Sequence, residues 1–158
     1  MKYILNIAIL CVMATACNSN VFFDESKKIN KEKWNYNEKV MFELNVLDTV
    51  SKYNFAVNLR HTTDYPYSNI LFFITTIYPD RSVTQRDTIE CYVANSDGSW
   101  KGKGSSKIKD NRFWFARNVQ FPQKGQYTFE IEQATRDTNL VGVSDVGLHI
   151  ERSFANQK

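Results

Sequence analysis

The chain has 158 residues, with 20 Lys and Arg against 17 Asp and Glu and a formal net charge of +3. That length suits one domain with a sizeable core, and needs neither metals nor disulfides as staples. The near balance of charge, with no dense Lys/Arg stripe, argues against nucleic acid as a partner.

The first sixteen residues, MKYILNIAILCVMATA, carry one cation, Lys2, then an apolar stretch broken only by Asn6, then Ala14-Thr15-Ala16. A charged start, a short apolar middle and an A-x-A end make a secretory signal, too short for a stable spanning helix. Its removal takes away Lys2 alone among charged residues and leaves a net +2. Ordinary signal peptidase and lipoprotein signal peptidase would cut at the same bond. Ala14-Thr15-Ala16-Cys17 resembles a bacterial lipobox, with Ala14 where Leu is commoner, and lipidation of Cys17 is the favoured reading. Acyl chains add ~0.8 kcal/mol per buried CH₂, so two or more make a stable membrane anchor. Asn18 is not the Asp that retains lipoproteins at the inner membrane, and no early acidic cluster follows to direct surface export. The expectation is an outer-membrane anchor facing the periplasm.

Residues 17–35 read as the lipidated cysteine and a tether. Within it Phe22, Phe23 and Trp34 argue that part packs along the edge of the domain. Lys27, Lys28, Lys31 and Lys33 form a local basic run, read as a solvated stretch before a membrane contact. Residues 36–158 read as the folded domain. Val40, Phe42, Leu44 and Val46 alternate with Met41, Glu43 and Asn45, and Tyr53, Phe55, Val57 and Leu59 repeat the period, as half-buried strands do. Ile70–Tyr78 is apolar on both parities, which suits a strand covered on both faces or one covered by the tether. Strands follow over 86–93, through Phe113, Phe115, Val119 and Phe121, through Tyr127, Phe129 and Ile131, and through Val146, Leu148 and Ile150. Breakers at Tyr65-Pro66, Pro79-Asp80, Asp97-Gly98 and Pro122 separate them. The fold class expected is all-β: an antiparallel β-sandwich, jelly-roll-like, of about seven to eight strands.

Signals for chemistry are weak. Cys91, in an apolar run, reads as a small buried hydrophobe. His61 and His149 have no zinc-ligand spacing, and no metal or cofactor signature is present. No nucleophile elbow accompanies the serines. His61 with Asp64 reads as a polar strand end. Asp80, Asp87, Glu90 and Glu132 form no convincing glycosidase pair. No residue is assigned as catalytic, and a hydrolase is the least favoured reading. The distinctive loop is Asn95–Gly104, where Trp100 sits among small and basic residues. With the aromatic loop Tyr65-Pro66-Tyr67 it makes a candidate binding surface of Trp100, Tyr65 and Tyr67, because ring faces stack on sugars or partner side chains. The alternative for Trp100 is a cap on the end of the sandwich.

Five phrases, Leu59–Asn69, Asp87–Cys91, Asp97–Gly104, Lys124–Gln133 and Val143–Leu148, occur in an order that resembles the gliding motility lipoprotein GldH family of Bacteroidota. The resemblance covers nearly the whole mature chain. It implies an envelope lipoprotein supporting gliding, working beside other motility and secretion lipoproteins and linked to type IX secretion. It implies no enzymatic activity and no active-site residues. The competing reading is a sandwich that binds carbohydrate or peptidoglycan.

Overall fold

The computed structural model describes residues 20–84 and 86–153; residues 1–19, and Cys17 with them, lie outside, as do Gln85 and 154–158. The described residues form eleven strands: β1 (Val21–Lys28), β2 (Lys33–Asn35), β3 (Val40–Val46), β4 (Tyr53–Thr62), β5 (Asn69–Ile77), β6 (Asp87–Tyr92), β7 (Lys103–Gly104), β8 (Ile108–Val119), β9 (Gly125–Gln133), β10 (Asn139–Val141) and β11 (Val143–Arg152). Every pairing is antiparallel. One layer runs β1-β11-β4-β8-β7 and the other β3-β9-β5-β6, while β2 and β10 pair by themselves. Counting only the eight long strands, the first layer is ordered first, eighth, third, sixth. The second is ordered second, seventh, fourth, fifth. That is a jelly roll. The all-β sandwich expected from the periodicity is borne out, with β2, β7 and β10 as short additions to the count.

Alternation produces the layers directly. In β3, Val40, Phe42, Leu44 and Val46 are buried while the residues between them are exposed. Two of the longer strands depart from it. In β8 the pairing with β4 steps from Phe55↔Ala116 to Ala56↔Trp114, so Phe115 is an extra residue. Such a bulge shifts the side-chain parity beyond it. A second irregularity follows, from Phe55↔Ala116 to Tyr53↔Val119, so the simple alternation read through Phe113, Phe115 and Val119 does not hold, and Val119 at the end of the strand is exposed. In β5, Ile70, Phe72 and Ile74 face the core, and the outer face is covered at Phe73 by the Arg86 guanidinium, 3.7 Å from the ring centroid. That cation–π contact, rather than the N-terminal segment, lets apolar residues occupy both parities there.

The segment read as a tether carries strands of its own from Val21 onward. β1 pairs along its length with β11, and Trp34 on β2 is fully buried, its Nε1–H donating to the Glu38 carbonyl at 2.9 Å. Phe22 packs on Tyr53 (4.9 Å between centroids) and Phe23 on Phe42 (6.3 Å). An edge strand with outward charges, Val21–Lys28 lacks the clean alternation of an inner strand. Only Asn18, Ser19 and Asn20 separate Cys17 from it.

Between β10 and β11, Gly142 sits at φ +83°, and a Cβ there would lie 2.7 Å from the backbone N and Cα of Tyr65. Its carbonyl accepts from Thr62 N–H and its N–H donates to the Glu32 carbonyl, each at 2.8 Å. Three segments therefore converge on one residue without a side chain. Gly98 also has positive φ, +84°, but has open space around it. Both Gly→Ala changes cost about 1–2 kcal/mol from backbone strain. Gly142→Ala loses more, because the Tyr65 backbone must move. Urea unfolding of the two variants checks this; equal costs would show that the close approach carries no energy.

Candidate functional site

Chemistry-bearing side chains gather at two places, an aromatic cluster at one end of the sandwich and a polar network on the outer face of the first layer.

The aromatic cluster is built by a small hairpin after β6. Asn95 N–H donates to the Ser99 carbonyl (2.8 Å), Lys101 N–H to the Val93 carbonyl (2.8 Å), and the Asp97 carboxylate accepts from Ser99 N–H (2.9 Å) and its hydroxyl (2.6 Å). These bonds turn Trp100 inward over His61, with centroids 4.8 Å apart. Trp100 is half-buried and packs against the core. Tyr65 is 2% exposed, its hydroxyl donating to the Asn69 carbonyl at 2.8 Å. Tyr67 stands edge-on to Tyr65 at 5.9 Å and is 43% exposed. The three candidate rings thus share one neighbourhood around His61, and Tyr67 is the one of the three that is largely open to solvent.

His61 is fully buried, and its Nδ1–H donates to the Thr62 carbonyl at 2.9 Å. A carbonyl only accepts, so the ring proton lies on Nδ1 and Nε2 is left a lone-pair acceptor. Nε2 has no partner among the described residues. Burial lowers the His61 pKa, with Lys109 adding to the effect; the Thr62 carbonyl and Asp110 oppose it.

The polar network comes from strand register. Asp24 lies opposite His149, and Asn58 opposite Arg112. Arg112 Nε donates to Asn58 Oδ1 (2.7 Å), Arg112 Nη2 to Asp24 Oδ2 (3.3 Å), and Asn58 Nδ2 to Asp24 Oδ1 (3.0 Å), which closes a ring. His149, 1% exposed, lies beneath Trp114 (5.7 Å, edge-on) with Nε2 3.2 Å from Arg112 Nη1. Its Nδ1 is 3.0 Å from Asp24 Oδ2 but not aligned as a hydrogen bond. An aspartate beside a buried histidine resembles part of a hydrolytic triad, yet a guanidinium occupies the place of the nucleophile. Beside this network a cleft of about 750 Å³ opens between Lys101–Lys103 and the sheet, lined by Arg60, Asp110, Arg112, Asp145 and Tyr92.

The other sequence candidates lie apart. Cys91 is buried on β6, and desolvation pushes its thiol up to about 12. Glu132 pairs with Arg86 (3.0 Å), Glu90 accepts from Asn69 (2.6 Å), Asp80 is held by Ser82 and Asp87 opens β6. Among the described residues no three His, Cys, Asp or Glu gather as metal ligands, and no helix is long and apolar enough to cross a membrane.

Residues 21–150 match the family described as GldH lipoprotein. The gliding motility lipoprotein GldH of Flavobacterium johnsoniae is 36% identical over 148 residues, covering 89% of this chain and 91% of that protein. The gliding motility lipoprotein GldH homolog of Christiangramia forsetii is 33% identical over 149 residues, covering 90% of each. A chain of the infectious bursal disease virus VP2 subviral particle aligns over 82% of this chain and 30% of its own length, at 12% identity and a TM-score of 0.29, too low to carry an argument.

The depressed pKa of His61 has a signed consequence. The unfolded chain takes up the proton first, at the ordinary value of 6.5. The histidine's contribution to stability is therefore whole above pH 6.5 and is lost as pH falls towards the folded value. His61→Phe, which keeps a ring under Trp100, flattens the fall in unfolding free energy between pH 6.5 and about 5, above the range where carboxylates dominate. Urea titrations across that range measure it; an unchanged slope would mean that His61 is not the group responsible.

Proposed function

The chain belongs to the GldH lipoprotein family, and on that premise we propose that it is a lipid-anchored envelope lipoprotein of the gliding apparatus. The reading is that export and cleavage after Ala16 leave Cys17 as the lipid-bearing first residue. The anchored domain then serves, without catalysis of its own, as an accessory of gliding and type IX secretion. Its place is the outer membrane, facing the periplasm, beside other envelope lipoproteins. The observation that carries this is the agreement of two independent features: relatives named for gliding align over nine-tenths of the chain, and its own sequence holds Ala14-Thr15-Ala16-Cys17. The site geometry suits a binding or assembly role: His61 is enclosed by the rings of Tyr65 and Trp100, and His149 lies against the Arg112 guanidinium.

Intact-mass measurement of membrane-extracted protein is expected to show the mature chain plus diacylglyceryl and acyl groups, and Cys17→Ser to release it from the membrane fraction. A clean deletion is expected to impair gliding or type IX export. Full motility and secretion in the deletion would remove the functional assignment even with the lipid in place.

A second reading, a carbohydrate- or peptidoglycan-binding lipoprotein, is favoured by the cleft beside Lys101–Lys103. It combines cations, carboxylates and the exposed ring of Tyr92, which is 53% exposed. On that reading muropeptides bind and Tyr92→Ala weakens them about tenfold, the scale of one lost ring stack. Calorimetric silence with muropeptides would leave the accessory reading alone.

A further inference from the structure

We infer that the end of the sandwich where β1 begins is a membrane-docking surface, so that the domain rests on the bilayer that holds its lipid. This rests on lipidation of Cys17 as read above.

The argument starts from the exit point. The Asn20 carbonyl accepts from Arg152 N–H at 2.8 Å, and Ser153 N–H donates to the Lys52 carbonyl at 2.7 Å. The chain therefore leaves the fold beside the β3–β4 loop. Cys17 stands three positions before Asn20, a reach of at most ~11 Å when extended. An anchor on so short a leash holds this end at the headgroup layer.

That same end presents the apolar side chains. Val50 is 82% exposed, Leu47 70% and Val83 59%, the three most exposed large hydrophobics among the described residues. Val21 and Val119 are also exposed there. The β3–β4 loop is built to hold its residues outward. The Asp48 carboxylate accepts from Val50 N–H (2.9 Å), Ser51 N–H (3.1 Å) and the Ser51 hydroxyl (2.6 Å), and Gln120 Nε2 donates to the Val50 carbonyl (2.7 Å). A loop pinned so firmly, with two bare aliphatic residues at its surface, has no internal use for them. Pro79 packs against Gly125, which pairs with Val46, so the β5–β6 turn lies at this end too. Lys52, Arg81 and Lys124 stand on these loops and Arg152 ends β11, 3.6 Å from Asp48; Asp48 and Asp80 accept hydrogen bonds within their own turns, and Glu151 lies opposite Val21. Shallow aliphatic residues ringed by cations fit the interface of a bilayer containing anionic lipid.

The test uses the lipidated protein in vesicles of phosphatidylethanolamine and phosphatidylglycerol. An environment-sensitive fluorophore is placed through Val50→Cys, and in a second sample through Asp97→Cys on the hairpin at the opposite end, roughly 30 Å away along β4. Cys91 is buried and stays unlabelled. Acyl-chain spin-labelled lipid is expected to quench the probe at position 50 several-fold more than the probe at position 97. Equal, weak quenching of both, with the lipid present by intact mass, would overturn docking and leave the anchor standing. Absence of lipid by intact mass would overturn the anchor, and docking with it. In the variant carrying both Leu47→Asp and Val83→Asp, the probe at position 50 is expected to lose most of its quenching; unchanged quenching there would also overturn docking.

Discussion

The pairing of the first strand with the last is the constraint on which the rest depends. β1 runs antiparallel along β11 from Val21↔Glu151 to Lys28↔Asp145. Without it β11 would be an open edge, with the row of unpaired amides that invites association. The pairing needs Gly147, since a Cβ there would overlap the Ser26 hydroxyl and lie 2.8 Å from the Glu25 carbonyl. It also delivers Phe22 and Phe23 to the core. Phe22, Tyr53, Phe121 and Tyr127 form a chain of rings, with neighbouring centroids 4.9 to 5.1 Å apart. They join β1 and β4 in one layer to β9 in the other.

Seven of the eight long strands were legible, most because one buried face makes them alternate, and β5 because its apolar residues run on both parities. β1 was not: as an edge strand its outward and lateral positions are polar, and Asp24-Glu25-Ser26-Lys27-Lys28 reads as a solvated arm. The irregular end of β8 was hidden for a different reason, since its two register shifts follow from how β8 meets β4 and from nothing local. The rings Trp100, Tyr65 and Tyr67 were legible as a group but not their degree of burial, which depends on the hairpin of Asn95–Lys101 folding Trp100 onto His61. The network of Asp24, Asn58, Arg112 and His149 left no mark in the sequence. Its members are far apart in the chain and meet only through register. The available signal was parity, and only for two of them: Asn58 and His149 sit on the outward faces of strands whose other face is apolar.

That network is not chiefly a stabilising device. Arg112 and Asp24 each keep 40% of their side-chain surface exposed, and ion pairs so open to water contribute ~0–1 kcal/mol. Arg60 with Asp110, about half exposed on both sides, is weaker support still. What the network does is fix orientations. Arg112 is gripped by Asn58, Asp24 and His149, so its guanidinium cannot swing into the neighbouring cleft as a free cation. The other cations of the cleft include Lys101 and Lys103, with Lys101 Nζ 5.8 Å from the Tyr92 ring centroid. Recognition there would join a rigid polar floor to a basic lip.

The two ends of the sandwich also differ in kind. The Lys27, Lys28, Lys31 and Lys33 run, taken from sequence as adjoining the anchor, is carried by β1 to the end opposite Asn20, where Lys28 lies against Asp145. The six residues Val21–Ser26 of that extended strand separate the run from Asn20, roughly 23 Å at 3.3 Å per residue. Its charge therefore cannot serve a bilayer that holds Cys17. On the anchored reading, the run faces away from the membrane together with Tyr67, Trp100 and the Asn95–Gly104 loop. At that end the surface is basic and ring-studded, with its aromatic faces mostly turned inward. Such a surface favours side-chain and backbone contacts over the open ring stacking that a sugar needs. On the anchored reading, the same strand that joins the anchor to the domain sets which end stands away from the membrane.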